Sequence, residues 1–332
     1  MRKTFLRSIL FLSLAGATAV PAEAQRRYDR GWMEPELSEP IGWSLGVTVG
    51  LSDLWGDVGT KSPIDHYANS EYWGATRFMG GGYLRYAFHP AIAARLSANF
   101  GTLYANDNWN KSKAEKADKL DDDYVQRYLR NQDVRSFIWE GTLMAEVSPF
   151  RFNKESRLAR KRMQPYLMAG IGAFNHRSQT TWISRPGNTG GHGQWQDIYD
   201  LHIEGDGWKF KGAPERAERW NLAIPLGVGV RWDLGRNLGL GVEYLYRITF
   251  TDYIDGVSDK YLPASYYKAQ LPADRASMAI DLVDKTWQIL DKESYYHNAG
   301  EVRGDKSDKD HYSTLSINFY YKINTRRKPW WF

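Results

Sequence analysis

His176 and Ser178 flank Arg177 in a chain of 332 residues, and side chains two residues apart on an extended backbone share a face. An imidazole beside a hydroxyl is the pair that nucleophilic acyl transfer needs, the ring taking the proton as the oxygen attacks. No acid is placed by sequence to orient that ring, so the pair also reads as an exposed strand end. Asp252, Asp255 and Asp259 in TDYIDGVSD offer oxygen donors to a calcium ion, without the dense alternate spacing and closing glutamate of a calcium loop. They read as solvated loop carboxylates, with Asp255-Gly256 as a turn. Gly170-Ile171-Gly172 and Gly227-Val228-Gly229 lack the dinucleotide fingerprint and fit close approach of backbones instead. No zinc spacing, phosphate-binding loop or heptad repeat occurs. The expectation is a protein that is not an enzyme and carries no cofactor and no metal.

A different chemistry lies in GLGVEYLYRITFTDY, Gly239 to Tyr253, where Glu243 and Arg247 alternate with Val242, Tyr244, Tyr246, Ile248 and Phe250. On a strand the even positions build an apolar face and the odd ones a polar face. Seven further segments alternate in the same way, starting near Ser44, Phe78, Ala91, Ser136, Pro165, Asn221 and Tyr312. Their polar faces carry Arg85, Arg95, Glu140, Glu146, Arg231 and Lys322. Each segment is long enough for the roughly 9 to 11 residues of a tilted strand crossing a bilayer. Buried charges without partners are costly, so Arg85, Arg95, Arg231, Arg247 and Lys322 are expected to pair with Glu140, Glu146 and Glu243 inside a narrow, plugged lumen.

The connections alternate in length. His89-Pro90 and Gly235-Arg236-Asn237 are tight turns and Arg151 to Gln164 is intermediate, whereas Asp53 to Ala75, Ala105 to Val134, Arg177 to Arg219 and Asp252 to His311 are long and polar. Short periplasmic turns against long extracellular loops are the pattern of outer-membrane barrels, and an even strand count leaves both termini in the periplasm. Residues 42–323 are therefore expected to form an all-β, eight-stranded antiparallel transmembrane β-barrel. Helical spacing of Ala276, Ala279, Ile280, Val283, Trp287 and Leu290 predicts a helix over Pro272 to Leu290, and Ala114 to Leu129 a weaker one.

The N-terminus, MRKTFLR followed by an apolar stretch and Ala22-Glu23-Ala24, reads as a secretory signal over residues 1–24. Residues 25–41 then form a periplasmic segment, and 324–332, NTRRKPWWF, a basic Trp-rich tail. Without Arg2, Lys3, Arg7 and Glu23 the chain has 41 basic against 38 acidic residues, too balanced for a nucleic-acid partner. Fourteen Trp and 21 Tyr suit a lipid–water boundary, and the absence of cysteine removes both a lipid anchor on a thiol and a disulfide framework.

YLRNQDVRSFIWEGTLMAEVSPFRF, QPYLMAGIGAFNH, LHIEGDG, NLAIPLGVGVRW and GVEYLYRITFTDYIDGVSDKY follow one another in this order. They resemble the PorG family of outer-membrane barrels, components of the type IX secretion system, from about Gly42 to at least Tyr261, with PADRAS near Pro272 a further piece. The resemblance implies an eight-stranded barrel that contacts a periplasmic ring of the lipoprotein PorK and its partner PorN during protein export; the barrel itself is expected to be monomeric. The turn-side cations Arg151, Lys154, Arg157, Arg160, Lys161 and Arg162, with Arg326, Arg327 and Lys328 of the tail, are candidates for that contact or for lipid headgroups. Two other readings stand beside it. His176 and Ser178 are similar to the His-x-Ser arrangement of lipid A modifying hydrolases, which are also small outer-membrane barrels, and the lumen itself is a candidate narrow pore.

Overall fold

The computed structural model describes residues 41–60, 66, 74–153, 156–159, 161–187, 190–210, 213–235 and 237–323. The expected leader, most of the 25–41 segment and the 324–332 tail lie outside these residues.

The described residues form nine strands, all but β6 from alternating sequence: β1 (Gly42–Trp55), β2 (Arg77–His89), β3 (Ile92–Asn106), β4 (Asp133–Val147), β5 (Met163–Ile183), β6 (His192–Asp197), β7 (Trp220–Asp233), β8 (Leu238–Thr249) and β9 (His311–Ile323). Every neighbouring pair is antiparallel, in the order β4-β3-β2-β1-β9-β8-β7-β5, and β4 pairs with β5 to close the ring. Eight strands thus form a closed barrel with no free edge. The ninth strand, β6, was not anticipated. It pairs with the outer end of β5 from Gln179 to Ile183, beyond the barrel wall, so β5 runs nine residues past Phe174.

The connections differ sharply between the two ends. Residues 90–91, 148–162 and 234–237 join strands at one end; 56–76, 107–132, 184–219 and 250–310 join them at the other. Pro225 sits inside β7, where it has no N–H to donate. The β5–β7 ladder accordingly skips from Ala169↔Leu226 to Gly172↔Ala223.

Outward positions are apolar and exposed, among them Trp43, Val47, Leu96, Trp139, Ile171, Leu222, Val228, Val242 and Phe319. On β7 this face runs from Trp220 to Trp232, both outward. That is about 30 Å of height at strand rise and a tilt near 40°. Inward positions are buried, including Glu243 and Arg247 on β8. Two tyrosines lie across inward-facing glycines. A methyl placed on Gly46 would be 2.2 Å from the Tyr83 ring, and one on Gly239 would be 2.0 Å from the Tyr320 ring, so each ring occupies the space a side chain would need.

The helices lie in the long loops: α1 (Lys111–Ala114), α2 (Asp123–Arg130), α3 (Ala264–Gln270), α4 (Ala273–Val283) and α5 (Thr286–Leu290). The single helix expected over Pro272 to Leu290 is therefore two, parted at Asp284 and Lys285. The one expected over Ala114 to Leu129 is interrupted before Asp122, whose side chain caps α2 by accepting from the Tyr124 N–H. Trp182, Ile203, Tyr261, Tyr267, Ala276, Ala279 and Leu282 pack together as the core of a cap.

Candidate functional site

The lumen is filled in layers, each set by strand register. At the short-turn end Glu146 accepts from Arg85 Nε at 2.5 Å and Arg231 Nη2 at 2.9 Å, with Arg95 3.7 Å away. Arg95 also donates to Glu243 at 2.6 Å, and the Tyr166 hydroxyl donates to the same carboxylate. Arg95 stacks over Tyr83 and Arg231 over Tyr166, at 3.7 and 4.4 Å from the ring centroids. Lys322 lies 2.7 Å from Asp233, which also accepts from the Tyr320 hydroxyl at 2.6 Å. Farther along, Glu140 accepts from Arg247 Nη2 at 2.6 Å and Nε at 3.1 Å, from Tyr312 Oη at 2.7 Å and from Asn99 Nδ2 at 2.7 Å.

Above these charges sits an apolar layer of Leu54, Met79, Leu103, Ile138, Phe174 and Tyr312. Ile138 shares the inward face with Glu140, and Phe174 the inward face of β5. The long loops close over it. Asp107 receives Arg130 Nε at 2.8 Å and Nη2 at 2.9 Å. Glu204 receives Arg303 at 2.6 Å together with the N–H groups of Ser258 and Asp259, and Lys285 pairs with Asp133. Arg130 also donates to the Arg303 carbonyl at 2.7 Å and to the Asp57 carbonyl at 2.5 Å, so these ties join all four long loops.

The eight charged residues expected in the lumen are all brought there, each within reach of an opposite charge. Asp233, Tyr83, Tyr166, Tyr320 and Tyr312 complete the network and were not anticipated. Extending the two-residue period would have found several of them, since Asp233 follows Arg231 by two, Tyr83 precedes Arg85 by two and Tyr320 precedes Lys322 by two. The turn-side cations do not form one exposed set. Arg151 is only 9% exposed and reaches inward to Asp233 at 3.5 Å, so it is not on the outer surface of the turn. Arg157 and Lys161 are exposed and Arg162 is half-buried, while Lys154, Arg160, Arg326, Arg327 and Lys328 lie outside the described residues.

His176 and Ser178 are buried, not an exposed strand end. His176 Nε2 donates to the Glu218 carbonyl at 3.1 Å, which leaves Nδ1 without a proton, 3.1 Å from Ser178 Oγ. Ser178 Oγ lies closer to the Ile254 carbonyl, at 2.6 Å, and donates there. The hydroxyl proton thus points away from the imidazole. The cavity beside them holds about 20 Å³, room for one water and not for an acyl chain.

The acidic loop residues are likewise not solvated. Asp252 is 3% exposed and Asp255 1%. Asp255 accepts from the N–H groups of Val58 and Val257, and Asp310 from those of Ile254 and Asp255. Burial, reinforced by the neighbouring Asp255, pushes the Asp252 carboxyl up to about 8. Burial and Asp57 push Asp255 up to about 7, and burial with Asp255 and Asp252 raises Asp310 well above the carboxylate range. Asp255 and Asp310 thus brace the cap through the backbone N–H groups they receive. Asp259 faces outward toward Lys306 at 3.4 Å, and among the described residues no group of three or more carboxylates and imidazoles is arranged to hold a metal.

No protein-family model matches the sequence, and no curated protein matches it. Solved structures with similarity include Ail, the attachment invasion locus protein of Yersinia pestis, at 10% identity and a TM-score of 0.35, over 85% of this chain and 99% of that one. Neisserial surface protein A aligns at 10% identity and 0.34, over 85% and 97%. The outer membrane protease OmpT from Escherichia coli aligns at 8% identity and 0.31, over 86% and 98%. At these values the fold rests on the closed strand pairing of this chain itself.

Proposed function

We propose that this protein is a non-enzymatic barrel of the bacterial outer membrane that serves as an anchoring subunit of the type IX secretion system, contacting the periplasmic PorK and PorN ring. The observation that carries the membrane part of this reading is the sidedness of the wall. A closed ring presents apolar side chains outward over a height close to the hydrocarbon thickness, while its ions pair inside. Such a wall satisfies every strand edge without water, which a bilayer requires. A lumen filled by paired charges, tyrosines and an apolar layer has no channel to offer, and the hydroxyl of Ser178 is engaged elsewhere; both points favour a structural role over a pore or a hydrolase.

The secretion role itself is supported by the sequence resemblance over about Gly42 to Tyr261 and by the cationic turn carrying Arg157 and Lys161. The test is a pull-down of the tagged protein from native membranes, with partners identified by peptide mass. PorK- and PorN-type ring proteins are expected to co-purify, and Arg157→Glu with Lys161→Glu is expected to release them from a barrel that still folds. Absence of ring proteins from the wild-type eluate would overturn the secretion reading and leave the barrel reading intact.

A further inference from the structure

The charges inside the barrel are unevenly distributed along it. Around the middle, Glu140 and Arg247 neutralise one another. Toward the short-turn end, Arg85, Arg95, Arg151, Arg231 and Lys322 face only Glu146, Asp233 and Glu243 among the described residues. Among the described residues two positive charges are left without a counter-charge, in surroundings where an uncompensated ion is costly.

The surplus sits at particular atoms. Glu146 is shared by three guanidinium groups, Arg85, Arg95 and Arg231. Arg85 uses its Nε on Glu146, and among the described residues its two terminal nitrogens make no hydrogen bond. Arg151 is nine-tenths buried, its Nε has no partner, and its contact to Asp233 is a long 3.5 Å. Arg151 is also close enough to Arg231 and Arg85 to be repelled by both. Three forks of like charge thus converge at one mouth, where Lys322 keeps 15% of its side chain accessible.

We propose that the short-turn mouth of the lumen is a binding site for one phosphate-type oxyanion, held by the free edges of Arg85 and Arg151 with Arg231 and Lys322 behind them. Guanidinium forks match the paired oxygens of a phosphate; a dianionic phosphate or phosphomonoester supplies both missing charges, and a phosphodiester headgroup supplies one of them. The same chemistry is offered by a free phosphate or phosphomonoester and by the headgroup of an anionic phospholipid in the leaflet at that end. The inference is independent of the secretion reading, because it concerns only charges inside the wall.

The experiment uses the full-length protein, delipidated in a neutral maltoside detergent. One arm measures radiolabelled inorganic phosphate by equilibrium dialysis; the other adds back phosphatidylglycerol or diacylglycerol and measures the lipid retained by native mass spectrometry. Saturable binding of one equivalent is expected in at least one arm, weakened tenfold or more by Arg151→Gln and by Arg85→Gln. Phosphate binding identifies a free anion as sufficient, and retention of phosphatidylglycerol alone identifies the headgroup. Arg157→Gln, on the exposed side of the turn, is expected to leave binding unchanged, and the gel mobility of unheated samples verifies that each variant is folded. Absence of one-equivalent binding in both arms overturns the site. So does binding that survives Arg151→Gln and Arg85→Gln in folded protein, or that falls equally with Arg157→Gln.

Discussion

Replacing Glu140 by leucine strikes the lumen network where it is most enclosed. The carboxylate receives Arg247 twice, Tyr312 and Asn99. Without it Arg247, 2% exposed, keeps the Leu245 carbonyl and the Thr314 hydroxyl but no counter-charge. Breaking a buried pair from one side costs about 3–5 kcal/mol, whereas replacing both members by apolar groups is often close to neutral. Glu140→Leu and Arg247→Met are therefore each expected to lose about 3–5 kcal/mol. The double variant should lose about 2–4 kcal/mol, well short of the sum of the two singles, chiefly from the stranded Tyr312 hydroxyl and Asn99 amide. Urea titration of each protein in lipid vesicles, followed by tryptophan fluorescence and by gel mobility without heating, measures the cycle. Losses that simply add, to within about 0.5 kcal/mol, would show that the two charges do not interact and would refute the paired-lumen argument.

Liposomes carrying the purified protein are expected not to swell in small sugars; swelling at a rate above empty liposomes would contradict the filled lumen. The cap should be pH-sensitive in a defined direction. Asp252 and Asp255 hold protons in the folded cap up to about pH 8 and 7, whereas an unfolded aspartate releases its proton near 3.9. Their contribution is complete below about pH 4 and declines as pH rises through 7 to 8. Hydrogen exchange across residues 252–310, corrected for intrinsic rates, should show more opening at pH 9 than at pH 5, and Asp252→Asn should reduce that difference; a flat profile counts against it. His176→Ala and Ser178→Ala are expected to leave lipid A acylation unchanged by mass spectrometry of cells overexpressing each variant, and altered acylation would restore the hydrolase reading.

Much of the wall was legible in the sequence because one physical rule governs it: lipid on one side and packed ions on the other impose a period of two. That is why Glu243, Arg247 and Val242 face as their spacing predicts. The rule ends where the lipid ends. Past Phe174, β5 has protein or water on both faces, so His176 to Ile183 gave no clean alternation and both β6 and the long β5 went unseen. Ile138 and Phe174 are apolar yet inward because they plug the outer end, where the lumen is roofed by loops instead of filled with ions. Asp252 and Asp255 were misplaced in solvent for a related reason. Asp255 is held by the N–H of Val58, from a loop nearly two hundred residues earlier, and no local spacing encodes that. Arg151 is the same kind of case, since its partner Asp233 lies across the β5–β7 hairpin.

Tyr83 faces Gly46, and Tyr320 faces both Gly46 and Gly239. A slip of two residues between β1 and β2 would keep every side chain on its proper side of the wall. It would, however, bring Tyr83 opposite Ser44 or Thr48, where a β-carbon replaces the empty space. The tyrosines therefore act as teeth in notches along the seam where the first and last strands meet. Of the staggers that alternation alone permits, one lets the ring shut, and the shear of the cylinder, with its tilt and bore, is chosen at that moment of closure.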